Sequence, residues 1–530
     1  MTNSTPELEE ADCILITGSN TTETHPLVAS RIFKAKEKGA KLIVVDPRRT
    51  QIARYADIFV RQKLGTDVAW INGLMHIILK EGWEDKDFIA NRTEGFDALK
   101  KEVENYPPEK VEEITGISQP DLRTIAEFYA KAKKGSIVYA MGITQHVTGT
   151  ENVLSLANLA MLTGNVGRLS TGVNPLRGQN NVQGACDLGG LPNVYTGYQS
   201  VADEQVAKKF EKAWNANLSR KPGITIMEMF QAIEDGKLKA LYIMGENPMV
   251  SDTDLRHVEK ILGKLEFLVV QDIFLTETAK LAHAVLPGVS FAEKEGTFTA
   301  TDRRVQRVRK AIEPLGEGRP DLEIIGTIAR KMGSDDFQYG PPEEIFREIS
   351  QLTPIYQGIT YERIDQEGIQ WPCRSLEDKG TPFLHKDQFS KGKGTFFAIP
   401  YREPAEVTDD EFPFWLTTGR VGFQYHTRTM TGVSPSLQKE APEGYLEINP
   451  FDAAQLGIDE GEQVHVISRR GKIQIKATLT FNVARNVVFI PFHYVESAAN
   501  MLTNTAFDPV AKIPEFKVGA VRVEKMEPQG

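Results

Sequence analysis

The sequence predicts an α/β protein: two related Rossmann-like dinucleotide-binding lobes with parallel sheets, plus a C-terminal β-barrel-like domain. Three observations predict it. A strand, a glycine turn, a helix and a second strand follow one another near the start of the chain. The same series returns near residue 240 with nearly the same spacing. From about residue 405 the pattern changes to short strands in which apolar and polar residues alternate.

The first lobe opens with Cys13-Ile14-Leu15-Ile16-Thr17, an apolar run that stops at Gly18-Ser19-Asn20. A helical pattern follows to Gly39. Lys41-Leu42-Ile43-Val44-Val45 makes the second strand and ends at Asp46-Pro47. Ile58-Phe59-Val60 then precedes Gly65-Thr66-Asp67, and a later strand from Ile137 to Ala140 ends in Met141-Gly142. Strand, helix, strand in that order requires a crossover, and so a parallel sheet with helices on its faces. In the second lobe Leu241-Tyr242-Ile243-Met244 runs into Gly245-Glu246-Asn247-Pro248. A helix covers Asp254 to Leu262, and Phe267-Leu268-Val269-Val270 ends at Gln271-Asp272. Gly18 lies 28 positions before Asp46, and Gly245 lies 27 before Asp272. A repeat at matched spacing means two related nucleotide-binding halves.

Residues 315–400 are rich in Pro and Gly, carry few long apolar runs, and read as excursions and a linker. Beyond them Val464 and Val466 alternate with polar residues. Arg470-Gly471 makes a turn, Ile473, Ile475 and Ala477 alternate again, and Val487-Val488-Phe489-Ile490 is a further strand. The expected domains are 1–179, 180–385 and 386–530.

Composition narrows the function. The 530 residues are 41% hydrophobic and 25% charged, an ordinary globular balance. No apolar run approaches the roughly 18–20 residues that span a bilayer. The polar, acidic start is neither signal nor transit peptide; the expected location is cytoplasmic, with any export signal lying upstream of Met1. A net charge of −10 with interspersed signs argues against a nucleic-acid scaffold. The three cysteines, Cys13, Cys186 and Cys373, are far apart, so no zinc or iron–sulfur ligand set lies within the chain and no metal ligand is assigned.

Gly18-Ser19-Asn20 and Gly245-Glu246-Asn247 sit where a parallel strand ends and a helix begins. There glycine lets the backbone approach a phosphate, and free N–H groups face an anion. Asp46 and Asp272 end the next strand of each lobe, placed to grip a ribose hydroxyl or a guanine edge, or to cap a helix. Neither glycine motif is GxGxxG, which disfavours a nicotinamide or flavin site. The densest polar segment is Gly172 to Asp187. It contains Arg177-Gly178-Gln179-Asn180-Asn181, in which Arg177 can hold a carboxylate by two parallel hydrogen bonds. Such a loop cannot be core, because its polar groups would go unpaired. Thr417-Thr418-Gly419-Arg420 and His426-Thr427-Arg428-Thr429 cluster after a barrel strand and suit phosphates and pterin edges. Phe492, His493, Asn500 and Lys517 surround the last strands, where each histidine alone is more often a hydrogen-bonded structural one.

With these residues in view, the sequence resembles the catalytic (alpha) subunits of formate dehydrogenases, within the dimethyl sulfoxide reductase family of molybdopterin oxidoreductases. The resemblance runs from Met1 to about Val523. It is carried by Pro175-Leu176-Arg177-Gly178-Gln179-Asn180-Asn181-Val182-Gln183-Gly184-Ala185, Phe291 to Phe298, Asp302 to Gln306, Tyr425 to Thr431, and Glu447-Ile448-Asn449-Pro450. It implies a bis-molybdopterin guanine dinucleotide with Mo or W. Gly18, Ser19, Asn20, Asp46, Arg48, Gly65, Thr66, Asp67, Met141, Gly142 and Gln145 resemble contacts to one dinucleotide. Gly245, Asn247, Gln271, Asp272, Lys294 and Asp321 resemble contacts to the other. Thr418, Gly419, Arg420, His426, Thr427, Phe492, Asn500 and Lys517 resemble a cap from the last domain. Arg177 resembles the arginine that orients formate, with Gln179 beside it, and Gly178 between them resembles a further cofactor contact.

The departure is at the front. The family begins with a four-cysteine [4Fe-4S] segment, followed by a Cys or selenocysteine metal ligand and a His. By analogy these lie upstream of Met1, through a UGA codon read as a stop or through a split gene. Without upstream strands, the second lobe is expected to have an incomplete sheet with exposed apolar edges. A smaller departure is Ala300, where an Asn is more usual. The implied activity is oxidation of formate to CO2, with electron-transfer subunits of iron–sulfur, NAD or hydrogenase type as partners alongside the N-terminal segment. The alternatives are action on nitrate or another oxyanion, or a non-catalytic cofactor-binding fragment.

Overall fold

The computed structural model describes residues 1–526. The chain divides into two compact units: Met1–Gly178 with Val250–Arg256 and Phe383–Gly530, and Gln179–Met249 with His257–Pro382.

The first unit contains the N-terminal lobe. Its strands are β1 (Cys13–Thr17), β2 (Lys41–Val45), β3 (Ile58–Val60), β4 (Gly135–Tyr139) and β5 (Gly172–Pro175). All pair in parallel, in the order β3-β2-β1-β4-β5. Every residue of β1 is buried, as expected for a sheet covered on both faces. Leu15, Ile43, Val45 and Ile137 face a core that includes Trp70, Leu74 and Leu159. Ile14, Ile16, Leu42, Val44 and Val138 face an opposite core with Val28 and Ile32. The covering helices are α1 (Pro26–Glu37) on one side, and α2 (Asp67–Glu81) and α3 (Gly149–Leu162) on the other. The chain order reverses between β1 and β4, so their carboxyl ends form the crevice where open α/β sheets bind ligands.

The second unit repeats part of this plan. After the short helix α4 (Val182–Asp187) come β6 (Ala240–Met244), β7 (Phe267–Asp272) and β8 (Ala284–Pro287), parallel and in the order β8-β7-β6. The duplicated strand–glycine–strand series therefore folds as duplicated sheet. β6 is an edge, and where β1 carries β4 on its other side, β6 carries no further strand among the described residues. Ile243, Leu268 and Val270 pack on one core, while Tyr242, Met244 and Phe267 stand 42%, 49% and 50% exposed. The same unit holds an antiparallel sheet of β9 (Gly296–Thr299), β10 (Arg304–Val308) and β11 (Ile369–Gln370), with α5 (Asp321–Lys331) between.

The stretch read as excursions and linker is more structured than that. It carries helices Asp321–Lys331 and Pro342–Leu352 and its own core of Phe346, Tyr356, Ile359, Tyr361, Ile364 and Cys373. Its apolar residues come singly, at helical spacing or as aromatics, so no long run announces them.

The barrel completes the first unit: β12 (Phe414–Gly419), β13 (Tyr445–Ile448), β14 (Gln463–Ile467), β15 (Lys472–Leu479), β16 (Val487–Pro491) and β17 (Gly519–Lys525), closed in the order β12-β16-β13-β15-β14-β17. The alternation in β15 is strict through Ala477: Ile473, Ile475 and Ala477 are buried and Lys472, Gln474 and Lys476 exposed. Closure leaves the sheet no free edge.

Candidate cofactor and substrate site

At the mouth of β1 and β4 the backbone of Gly18 lies against that of Gly142, whose amide donates to the Gly18 carbonyl at 3.0 Å. A Cβ on Gly18 would meet the Gly142 carbonyl carbon at 2.7 Å, and a Cβ on Gly142 would meet Gly18 Cα at 2.5 Å. Only glycine fits either position. Ser19 Oγ is paired with Thr21 Oγ1 at 2.8 Å. Next to it, both amide atoms of Asn20 are buried without a hydrogen-bond partner. Buried polar atoms are nearly always satisfied, so Asn20 is left with unused hydrogen-bonding capacity. Met141 Sδ accepts from Thr144 Oγ1 at 3.4 Å.

Asp46, at the end of β2, accepts from the Arg48 amide at 2.9 Å, and burial pushes its carboxyl up to about 6. Arg48 itself is committed elsewhere. Its guanidinium makes two 2.6 Å bonds to Glu447 and stacks 3.8 Å from the Phe489 ring centroid. Gly65 turns at φ 76°, Thr66 Oγ1 donates to the Lys63 carbonyl at 2.7 Å, and Asp67 begins α2. Asp67 accepts from Trp70 Nε1 at 3.3 Å and Gln62 Nε2 at 3.4 Å, and its carboxyl is raised by burial.

The barrel brings cations. The half-buried Lys517 donates from its ammonium to the Thr418 carbonyl at 2.7 Å, while its backbone amide donates to Gln145. Burial, with Arg420 nearby, holds Lys517 down to about 7, and Asp46 pulls the other way. Arg420 is packed against Gly178: a Cβ there would sit 2.5 Å from a guanidinium nitrogen. Burial lowers Arg420 as well. The neighbouring Arg177 carbonyl accepts from His25 Nε2 at 2.6 Å. His426 has a left-handed backbone (φ 47°), and its carbonyl accepts from His493 Nδ1 at 2.5 Å. His493 Nε2 accepts from the Val421 amide at 3.0 Å, which fixes the neutral tautomer. Burial holds both histidines down to about 4. The Phe492 ring lies edge-on to His426 at 5.7 Å, Gly419 accepts from the Phe492 amide, and Thr427 Oγ1 pairs with Thr429 Oγ1 at 2.9 Å. Desolvation thus holds both cations below their usual range.

Asn500 stands apart. Its Nδ2 donates to the Val250 and Ser251 carbonyls at 2.8 and 3.2 Å, while its Oδ1 is buried and unpartnered.

In the second unit Gly245 turns at φ 67° and its amide donates to the Gln271 carbonyl at 2.9 Å. Gln271 donates to Asp321 Oδ1 at 2.6 Å, and Lys294 pairs with the other Asp321 oxygen. Asp272 accepts from the Ile273 amide at 2.7 Å, and burial raises its carboxyl. Asn247 differs from Asn20: its amide is already taken, accepting from Thr278 Oγ1 at 2.7 Å and donating to Glu277 at 2.8 Å. Gln271, Lys294 and Asp321 thus form one connected group, with Asn247 outside it. Sequence reading missed Glu447 as the partner of Arg48 and His25 as the partner of Arg177. Neither has a local signal, since each pair is separated by more than a hundred residues.

Among the described residues no group of three or more His, Cys, Asp or Glu side chains is placed to hold a metal ion. Among the same residues no helix is long and apolar enough to cross a membrane.

A duplicated parallel lobe followed by a closed six-stranded barrel defines an α/β protein of two related lobes with a C-terminal β-barrel domain. The chain belongs to the molybdopterin oxidoreductase family: that family's model matches residues 1–331, and the molydopterin dinucleotide binding domain matches residues 414–520. It is 54% identical over 530 residues to the F420-dependent formate dehydrogenase subunit alpha of Methanocaldococcus jannaschii, covering 99% of this chain and 78% of that one. It is 42% identical over 536 residues to formate dehydrogenase H of Escherichia coli, covering 100% and 75%. Among solved structures, acetylene hydratase from Pelobacter acetylenicus superposes with a TM-score of 0.78 at 20% identity, over 98% of this chain and 81% of that one. At that identity the likeness concerns the fold.

Proposed function

We propose that this chain is the catalytic subunit of a formate dehydrogenase, oxidising formate to CO2 with loss of one proton and two electrons. The observation that carries the reading is the half-buried cation Arg420 packed on Gly178, directly beside Arg177 in the polar loop. A small anion is the ligand such a place favours, and the two relatives compared above are named formate dehydrogenases.

Within this reading Arg177 binds the formate carboxylate through two parallel N–H donors, and Gln179 lies beside it in the loop. Gly18, Gly142 and Asn20 receive one guanine dinucleotide, with Asp46 and Asp67 toward its base or ribose. Gly245, Gln271, Asp272, Lys294 and Asp321 receive the second, and Thr418, Arg420, Lys517 and their neighbours cover phosphates and pterin. When bound, a bis-molybdopterin guanine dinucleotide with Mo or W supplies the two-electron redox chemistry; this chain supplies positioning and electrostatics. The three cysteines are far apart in sequence, so no iron–sulfur ligand set is assigned to them. Electrons leave through further subunits of iron–sulfur, NAD or hydrogenase type, and the site of action is the cytoplasm.

The test is formate oxidation by the assembled holoenzyme, with nitrate reduction assayed in parallel. A charged hydrogen-bonded contact contributes about 1.5–3 kcal/mol. Arg177→Ala is therefore expected to raise KM for formate by about tenfold or more and to lower turnover. Unchanged kinetics would remove Arg177 from the site, and nitrate turnover without formate turnover would move the substrate to an oxyanion.

A further inference from the structure

We propose that Asp187 is a positioning residue that holds the segment Gln179–Asn181 in the conformation the reaction needs. Its kinetic test rests on the formate reading; its structural argument rests on one unit alone.

Asp187 is fully buried. Its carboxylate accepts four hydrogen bonds, all from neutral side chains. Oδ1 takes them from Gln183 Nε2 at 2.8 Å and the Tyr198 hydroxyl at 2.7 Å. Oδ2 takes them from the Tyr356 hydroxyl at 2.8 Å and Trp371 Nε1 at 2.7 Å. A buried carboxylate resists burial unless its lone pairs are filled. Moving any one donor leaves part of that charge unsatisfied, so the four donors hold one another in place.

The cluster fixes both ends of α4. Asp187 is the last residue of the helix and Asn181 immediately precedes it. Asn181 Oδ1 accepts from the Thr299 amide at 2.9 Å, and Thr299 Oγ1 meets the Tyr356 hydroxyl at 3.1 Å. The ring from Asn181 through Thr299 and Tyr356 to Asp187 is closed by the helix itself. There is no slack inside it, because a Cβ on Gly184 would lie 2.1 Å from Asn181 Oδ1. Gln179 and Asn180 enter this anchor directly.

Backbone strain converges on the same place. In this unit four described non-glycine residues have left-handed backbones, and three are here: Asn181 (φ 61°), Tyr198 (φ 61°) and Arg303 (φ 70°). Arg303 lies over the Trp371 ring at 5.5 Å and donates to the carbonyls of Trp371, Thr381 and Pro382. A tyrosine and an arginine adopt that backbone only where their surroundings over-determine it, and such residues cluster at functional sites.

The experiment compares Asp187→Asn and Tyr198→Phe with the parent holoenzyme. The asparagine variant puts a donor where only acceptors fit. The phenylalanine variant removes one donor from a tyrosine that is 41% exposed, so the fold survives it. For Asp187→Asn we expect amide hydrogen exchange across residues 179–187 to quicken about tenfold or more, with the N-terminal lobe unchanged. KM for formate should rise about tenfold, while kcat falls less than about threefold. Tyr198→Phe should move both readouts the same way by a smaller factor. Unchanged exchange in both variants overturns the proposal. Faster exchange with KM unmoved, or with KM and kcat changing together, also overturns it, because the cluster is then scaffolding only. A parent enzyme that ignores formate and turns over nitrate defeats the substrate reading by itself, and the same split in KM for nitrate then decides Asp187.

Discussion

His493 shows how one residue keeps a pocket's charge fixed. Its Nδ1–H donates to the His426 carbonyl and its Nε2 accepts from the Val421 amide, so a second proton has no place to go without breaking a bond. Burial holds the ring down to about 4, against an unfolded value near 6.5. Between those values the unfolded chain binds the proton and the folded one does not, so stability falls as pH drops. Integrated over that gap, the loss is about 3 kcal/mol as an upper bound. Asp46, raised to about 6, acts with the opposite sign between roughly pH 6 and 4, because there the folded form binds the proton first. Asp46 is common to parent and variant, so their difference isolates the histidine. In His493→Gln the melting temperature is expected to fall less steeply than in the parent from pH 6.5 to 4, measured by calorimetry. Parallel curves would mean that His493 is protonated in the folded state.

At the scale of elements, the edge strand β6 is the feature with consequences. Its neighbour β7 lies on one side only, and Tyr242 and Met244 are exposed along it. An open apolar edge is a template for pairing with another chain. Purified without cofactor or partner subunits, the protein is expected to self-associate, and Met244→Lys is expected to reduce that association at least about twofold, since an edge lysine opposes strand pairing. Light scattering of the two proteins at equal concentration checks it. A parent that stays monomeric and melts cooperatively would contradict the expectation.

Much of the architecture was legible for a local reason. Gly18, Asp46 and the strands around them lie within one βαβ unit, so spacing alone reveals them, and the duplication near residue 240 repeats the signal. The barrel strands were legible because a half-buried strand alternates. The core around Phe346 and Tyr356 was not, because its residues are scattered among Pro and Gly. In the site, the Gly18 turn and the Arg177 loop announce themselves by composition. The Arg48–Glu447 pair, the His25 contact to Arg177 and the four donors on Asp187 are tertiary facts that no local pattern encodes.

For the molecule as a whole, the duplicated lobes carry a stoichiometric expectation. Assembled holoenzyme should release about two guanine nucleotides per polypeptide on acid extraction, one for each repeated glycine–strand–Asp unit. A ratio near one would mean that a single lobe binds, and Asn20→Ala would then tell whether it is the first. The fold does not by itself select the reaction, since a protein named as a hydratase shares it.

Arg48 waits for Glu447, which lies 399 residues further along the chain. Ribosomes add about 5–20 residues per second, so roughly 20–80 seconds of translation separate the guanidinium from its carboxylate. The N-terminal lobe emerges first but is completed by the last segment made, leaving nascent chains with a strong cation awaiting burial, a natural point for chaperones to engage.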